Sequence, residues 1–131
     1  MSDDRRDLVL RLLDAVNRGD ADAITAEVDA DFELRPLVSV WERSYRGHSG
    51  VEAWVRDVAG LWERFEIEAE EVRDPSGEPV VLIGRWRGTP RGSSAPLDGP
   101  IAVVIRFTGA RVSRAEIYLD PAEATEAASS S

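Results

Sequence analysis

The sequence predicts an α+β fold in which three N-terminal helices pack on the concave face of a curved, mostly antiparallel sheet. Three observations carry that prediction. Between Asp3 and Asn17 the apolar residues Leu8, Val9, Leu12, Leu13 and Val16 recur at intervals of three and four, which makes one buried stripe on a helix. The same spacing returns in "SGVEAWVRDVAGLW", where Val51, Trp54, Val55, Val58, Leu61 and Trp62 share a face. From residue 65 onward the pattern changes to period two, interrupted only by turn sequences.

Each element follows from local signals. Gly19 ends the first helix as a C′ glycine, and Asp20 caps a short second helix that turns Ile24 and Val28 inward. "DFELRP" sets Phe32 and Leu34 against Glu33 and Arg35, a half-buried strand stopped by Pro36. Residues 37 to 47 read as irregular. Ser49 and Glu52 have capping-box spacing for the third helix. "FEIEAEEVR", the turn "DPSGEP" and "VVLIGRWRG" form a hairpin over 65 to 88. A polar loop, "TPRGSSAPLDGP", leads to "IAVVIRF", the "TGA" turn and "RVSRAEIYLD". Asp120, Pro121 and Glu123 then open a last short helix. The domain is read as residues 1–127, with 128–131 a frayed polar tail.

Composition narrows the chemistry. A chain of 131 residues builds one core. It lacks cysteine, which removes disulfides and thiolate chemistry, and its single histidine, His48, cannot make a multi-histidine metal centre. All sixteen basic residues are arginine, so no lysine can form a Schiff base. The net charge of -9 disfavours nucleic acid as a partner. No apolar run approaches membrane-spanning length and the start is acidic, so a soluble cytoplasmic protein without metal or cofactor is expected. The natural binding site for such an arrangement is the gap between the helices and the concave face of the sheet.

Three segments, "YRGHSGVEAWVRDV", "VVLIGRWRGTPRGSS" and "AEIYLDPAEA", make the chain resemble the SnoaL-like branch of the nuclear transport factor 2-like superfamily over nearly its whole length. That resemblance implies a cone-shaped fold with a deep pocket, frequently a homodimer through the outer face of the sheet. The superfamily includes ketosteroid isomerase, limonene epoxide hydrolase, polyketide cyclases and proteins that only bind or assemble, so fold alone selects no activity. Carried over residue by residue, the strand positions that often supply the pocket acid or base fall at Val103 and Ile117, both aliphatic. Arg85 looks like the arginine of the epoxide hydrolases, but Arg87 stands where their aspartate would be. Their tyrosine and asparagine positions fall at Phe32 and Leu34. The water-activating set is missing.

Alternation along "PVVLIGRWRGTP" turns Val81, Ile83, Arg85 and Arg87 to one side, and the parity that puts Phe32, Leu34, Ile67, Ile83, Val103, Ile105 and Ile117 in the core places that side inward. Arg85 and Arg87 then form a cationic wall able to hold a carboxylate or phenolate by forked hydrogen bonds; the alternatives are pairing with acids such as Glu71 or Glu116, or exposure at the strand end. Trp86 takes the opposite parity and is expected on the outer face, in a dimer contact. Trp54 and Trp62 serve either a flat ligand or the core. His48 is a candidate acid or base beside a cap, and Glu116 and Glu33 are the other candidates. Glu66, Glu68 and Glu70 read as a solvated face. The leading expectation is a pocket for a small apolar molecule with an acidic or phenolic oxygen, contacted by Arg85, Arg87, Phe32, Leu34, Trp54, Val103 and Ile117. The alternatives are an isomerase, cyclase or hydratase-like enzyme on a polyketide- or steroid-like substrate, and a homodimeric assembly module with a vestigial pocket.

Overall fold

The computed structural model describes residues 5–36, 44–73 and 77–129. Its elements run α1 (Arg6–Arg18), α2 (Ala21–Thr25), β1 (Val28–Arg35), β2 (Tyr45–Arg46), α3 (Gly47–Leu61), β3 (Trp62–Arg73), β4 (Val80–Pro90), β5 (Leu97–Thr108), β6 (Arg111–Tyr118) and α4 (Pro121–Ser129). The strands form one sheet in the order β2-β1-β6-β5-β4-β3. β3 to β6 are the expected antiparallel meander, and β1 joins it by parallel pairing with β6. The α+β arrangement of helices on a curved, mostly antiparallel sheet is therefore the fold of this chain.

Local chemistry sets the helix ends where the sequence indicated. Gly19 adopts φ 63°, its N–H donates to the Val16 carbonyl, and the Asp20 N–H donates to the Ala15 carbonyl, which closes α1. Asp20 then accepts the Ala23 N–H at 3.1 Å and starts α2. At the other end of the chain Asp120 accepts the Ala122 N–H at 2.9 Å above Pro121. α4 continues to Ser129, so the boundary read at residue 127 falls inside a helix whose Ala127 and Ala128 pack on the outer cluster.

Other boundaries shift for physical reasons. α3 begins at Gly47 rather than at a Ser49 cap, with Arg46 before it and no side chain closing the first turn. It ends at Leu61, one residue before Trp62, because Trp62 is already paired with Pro90 in the sheet and the Arg91 N–H donates to the Leu61 carbonyl at 3.0 Å. Part of the stretch read as irregular is strand: Tyr45 pairs with Leu34 and Arg46 with Glu33. The remainder of that stretch, 37–43, lies outside the described residues, as do 74–76 of the expected turn. The polar loop is shorter than its composition suggests, since β4 reaches Pro90 and β5 starts at Leu97.

Two apolar clusters sandwich the sheet. The main one, on the helix side, gathers Val9 and Leu12 of α1, Phe32 and Leu34 of β1, Ile67, Leu82, Val103 and Ile117. A smaller one, on the outer side, holds Val81, Ala102, Val104 and Tyr118 under Ala124 of α4, with Ile83 at its edge. The inward parity assigned to Ile83 is thus reversed: Leu82 faces the core opposite Val103, and Ile83 faces out opposite Ala102. A strand covered on both faces reads as a continuous apolar run, and "PVVLI" carries no parity signal by itself. The edge strand β3 is tied to α1 by Asn17, whose amide donates to the Ile67 carbonyl at 2.9 Å and whose carbonyl accepts the Ile67 N–H at 2.8 Å.

Glycine gives the inner face room for indole rings. A Cβ on Gly88 would sit 2.6 Å from Cε3 and 2.7 Å from Cζ3 of Trp62, and one on Gly99 would sit 3.0 Å from Nε1 of Trp86. Gly88 thus leaves the sheet bare where Trp62 lies on it. Replacing it is an overpacking change against a rigid ring.

Two outcomes follow. Gly88→Ala should lower stability by about 1–3 kcal/mol and change the near-ultraviolet tryptophan signal; an unaltered urea midpoint would show that Trp62 does not rest there. The second concerns Tyr118, which burial, aided by the Glu116 carboxylate, holds protonated above the ordinary value of 10.0, against the opposing pull of Arg35, Arg106 and Arg114. The unfolded chain releases this proton first, so the contribution is whole below about pH 10 and is lost as pH climbs through the raised value. With no lysine or cysteine in the chain, urea midpoints should decline across this range, and Tyr118→Phe should flatten the decline.

Candidate functional site

Between α3 and the inner face of the sheet lies a pocket of about 680 Å³. Its walls are mostly aromatic because α3, β3 and β4 each deliver a ring to the same side. Trp54 comes from α3, Trp62 from the helix–strand junction, Phe65 from β3 and Trp86 from β4, with Ile101, Ile117 and Leu119 completing the apolar surface. Trp62 contacts both Phe65 and Trp86 at 5.6 Å between ring centroids, and Phe65 stacks on Trp86 at 6.5 Å. Such tilted and edge-on contacts favour a fixed cluster over independent rings.

Polar groups reach this pocket from β2 and α3. The Tyr45 hydroxyl donates to Asp57 Oδ2 at 2.6 Å, a length typical of a charge-assisted bond, and Arg56 also lines the wall. Tyr45 is positioned by pairing with Leu34, and its backbone lies against Gly50, where a Cβ would come within 2.8 Å of the Tyr45 carbonyl carbon. Asp57 sits on α3 one turn beyond Trp54, so helix periodicity brings it to the pocket side. With the Tyr45 hydroxyl proton committed to Asp57, the pair offers a ligand the second Asp57 carboxylate oxygen as an acceptor. It is chemically suited to receive an O–H or N–H donor. A carboxylate beside a phenol can also accept and return a proton.

The arginines expected to form the polar wall are elsewhere. Arg85 and Arg87 lie on the outer face: Arg85 donates to Asp98 Oδ1 at 3.0 Å, and Arg87 stands 3.6 Å from Glu68 Oε2. Their side chains are 44% and 57% exposed. The hairpin register explains the reversal, since Glu68 lies opposite Arg85 and Glu66 opposite Arg87, whereas Ile67 of the core lies opposite Trp86. Trp86 is accordingly inside, and its assignment to an outer-face contact is overturned. "GRWRG" holds the signal that could have found this: Gly84 and Gly88 share the face of Trp86, marking where the sheet must make space.

Of the remaining expected contacts, Trp54 and Ile117 line the pocket, while Phe32, Leu34 and Val103 are buried in the core beside it. His48 is exposed at the start of α3, with Nε2 3.5 Å from the Val28 carbonyl oxygen. Glu33 faces outward near Arg46 at 3.4 Å and Arg114 at 3.8 Å. Glu116 is 7% exposed on the outer face, 3.1 Å from Arg114 and 3.9 Å from Arg106. None of these three acid or base candidates lines the pocket. Tyr45 and Asp57 were missed because neither has a local signature; their meeting depends on β2 pairing beside α3. Among the described residues no group of three or more metal-ligating side chains gathers, and no helix is long and apolar enough to cross a membrane.

Solved structures with the same architecture span almost the entire chain. An NTF2-like protein of unknown function from Burkholderia pseudomallei superposes with a TM-score of 0.79 at 23% identity, covering 98% of each chain. TerC, co-crystallised with polyporic acid, gives 0.77 at 15% identity over 97% of this chain and 98% of its own. A protein from Catenulispora acidiphila with a ketosteroid isomerase-like fold, in complex with trimethylamine, gives 0.76 at 15% identity over 92% and 91%. Identities this low establish a shared fold and no shared activity. Comparison with curated proteins yields no match. The sequence profile of the SnoaL-like domain, however, matches residues 9–115, which runs from within α1 into β6, and on that match together with its fold the chain belongs to the SnoaL-like domain family.

Proposed function

We propose that this protein binds a flat, apolar small molecule bearing a phenolic hydroxyl, held in the aromatic pocket with its O–H donated to the Tyr45–Asp57 pair. The observation that carries this reading is the pocket itself: about 680 Å³ open between α3 and the sheet, walled by Trp54, Trp62, Phe65 and Trp86. A vestigial cavity would be filled by such rings, whereas here they surround it. Aromatic faces on several sides suit a planar ligand, and few polar groups among many apolar ones is the usual composition of a small-molecule site. The acceptor character of Asp57 selects a neutral donor over the carboxylate that inward arginines would have favoured. That TerC was crystallised with polyporic acid lends this fold a precedent for a ligand of organic-acid type.

A second reading rests on the same pair. Asp57 as base and Tyr45 as its proton partner are what an isomerase, cyclase or hydratase would need at a substrate carbonyl. Binding is the reading preferred here, because the two family positions that often carry the acid or base are Val103 and Ile117. A homodimer through the outer sheet face is also proposed, on residues other than Trp86.

Quenching of tryptophan fluorescence by 2-naphthol and by naphthalene tests the binding reading. Wild type should bind both, and Asp57→Asn should weaken 2-naphthol about tenfold, the scale of one charge-assisted hydrogen bond, while leaving naphthalene unchanged. No binding of either probe would end the proposal; equal weakening of both would remove Asp57 as the anchor.

A further inference from the structure

Next to the aromatic pocket lies a second cavity of about 310 Å³, opening between the end of α1 and the segment after β4. Val16 of α1 and Val55 and Ala59 of α3 line it without touching the first pocket. Trp54, Val58, Trp62 and Phe65 line both. The two spaces are therefore neighbours divided by the side chains of those four residues. Side chains turn between rotamers far more readily than a backbone wall moves.

We infer that these cavities are two chambers of one elongated site, and that its ligand is a phenol carrying an unbranched apolar chain. This rests on the binding reading above and extends it to the shape of the ligand. In the front chamber the ring lies among the indoles with its hydroxyl at Asp57. Its chain passes between Trp54 and Trp62 and runs along Val55, Val58 and Val16. Charge at the rear mouth sets where the chain must stop. Arg18 there is held by Asp14 at 2.9 Å and Asp20 at 3.1 Å, and Glu63 and Arg91 stand on the same rim. Arg91 is fixed by its Nε bond to the Ala59 carbonyl at 2.6 Å and its N–H bond to Leu61. With acids and arginines interleaved, this rim favours no single ionic head group, and a methylene that reaches it returns to water. The rear chamber accordingly measures chain length: each added methylene is buried until the rim is reached, and later ones are not.

The test is a series of 4-alkylphenols, from 4-methylphenol to 4-octylphenol, titrated by tryptophan fluorescence into the wild type and into Ala59→Trp and Val55→Trp. Neither position lines the front chamber; Ala59 is exposed on α3 and Val55 also packs partly against the core, so 4-methylphenol should bind all three proteins alike, with Ala59→Trp free of any core contact. In the wild type affinity should rise about fourfold per methylene and then level off. In both variants the rise should be lost. A flat wild-type series with 4-methylphenol still bound would overturn the second chamber and leave the binding reading intact. An undiminished rise in both variants would place the chain outside the rear chamber and also overturn the inference. Failure of every phenol to bind would sink the inference and the binding reading together.

Discussion

The register between β3 and β4 is the constraint on which the rest of the molecule depends. Placing Ile67 opposite Trp86 commits every second residue between the register shifts at Trp62/Arg64 and Ala69/Glu71 to one face, because side chains in an antiparallel pair alternate together. Inside, that commitment stacks Phe65 on Trp86, and the register shift between Trp62 and Arg64 brings Trp62 into the same aromatic cluster. Outside, it lines Glu66 and Glu68 against Arg87 and Arg85, with Asp98 beyond them on β5. A slip of one residue would turn either Glu66 and Glu68 or Arg85 and Arg87 inward and carry Phe65 or Trp86 outward. Each exposed ion pair adds little energy, about 0.2–1 kcal/mol, yet together with the buried rings they leave only one register without conflict.

The sheet is built differently at its two ends. Where Val80, Leu82 and Val103 meet the helix side and Val81, Ala102 and Val104 meet α4, both faces are covered and the strands are almost wholly apolar. Further along β4, α4 no longer covers the outer face, which turns charged, while the inner face changes from packed aliphatic side chains to rings around open space. The pocket exists because α3 passes into β3 with no intervening residue. Arg91 holds that junction through two carbonyls, of Ala59 and Leu61, that a helix end would otherwise leave unmatched.

The outer face also keeps a costly feature. Glu116 is buried between Arg106 and Arg114, and Glu116 Oε1 and Arg114 Nε lack hydrogen-bond partners among the described residues. Ion pairs in such a setting offset desolvation rather than add net stability. Arg106 and Arg114 also favour the ionised form of Tyr118, but burial outweighs them.

Sequence alone determined the main helices and strands, the Gly19, Asp20 and Asp120 helix ends, the meander, and the inward set of Phe32, Leu34, Ile67, Val103, Ile105 and Ile117, though not Ile83, since each rests on spacing or on one residue's conformational preference. Tertiary structure decided which way β4 faces. Its apolar half is buried on both sides, so alternation there is silent, and only the residues across the hairpin show that Arg85 and Arg87 belong with glutamates. Tertiary structure likewise decided the Tyr45–Asp57 hydrogen bond: the two residues are twelve positions apart, and a two-residue strand with no sequence signature brings them into contact. Local patterns report what a residue does to its own backbone; a site made by pairing distant segments is written only in their contact.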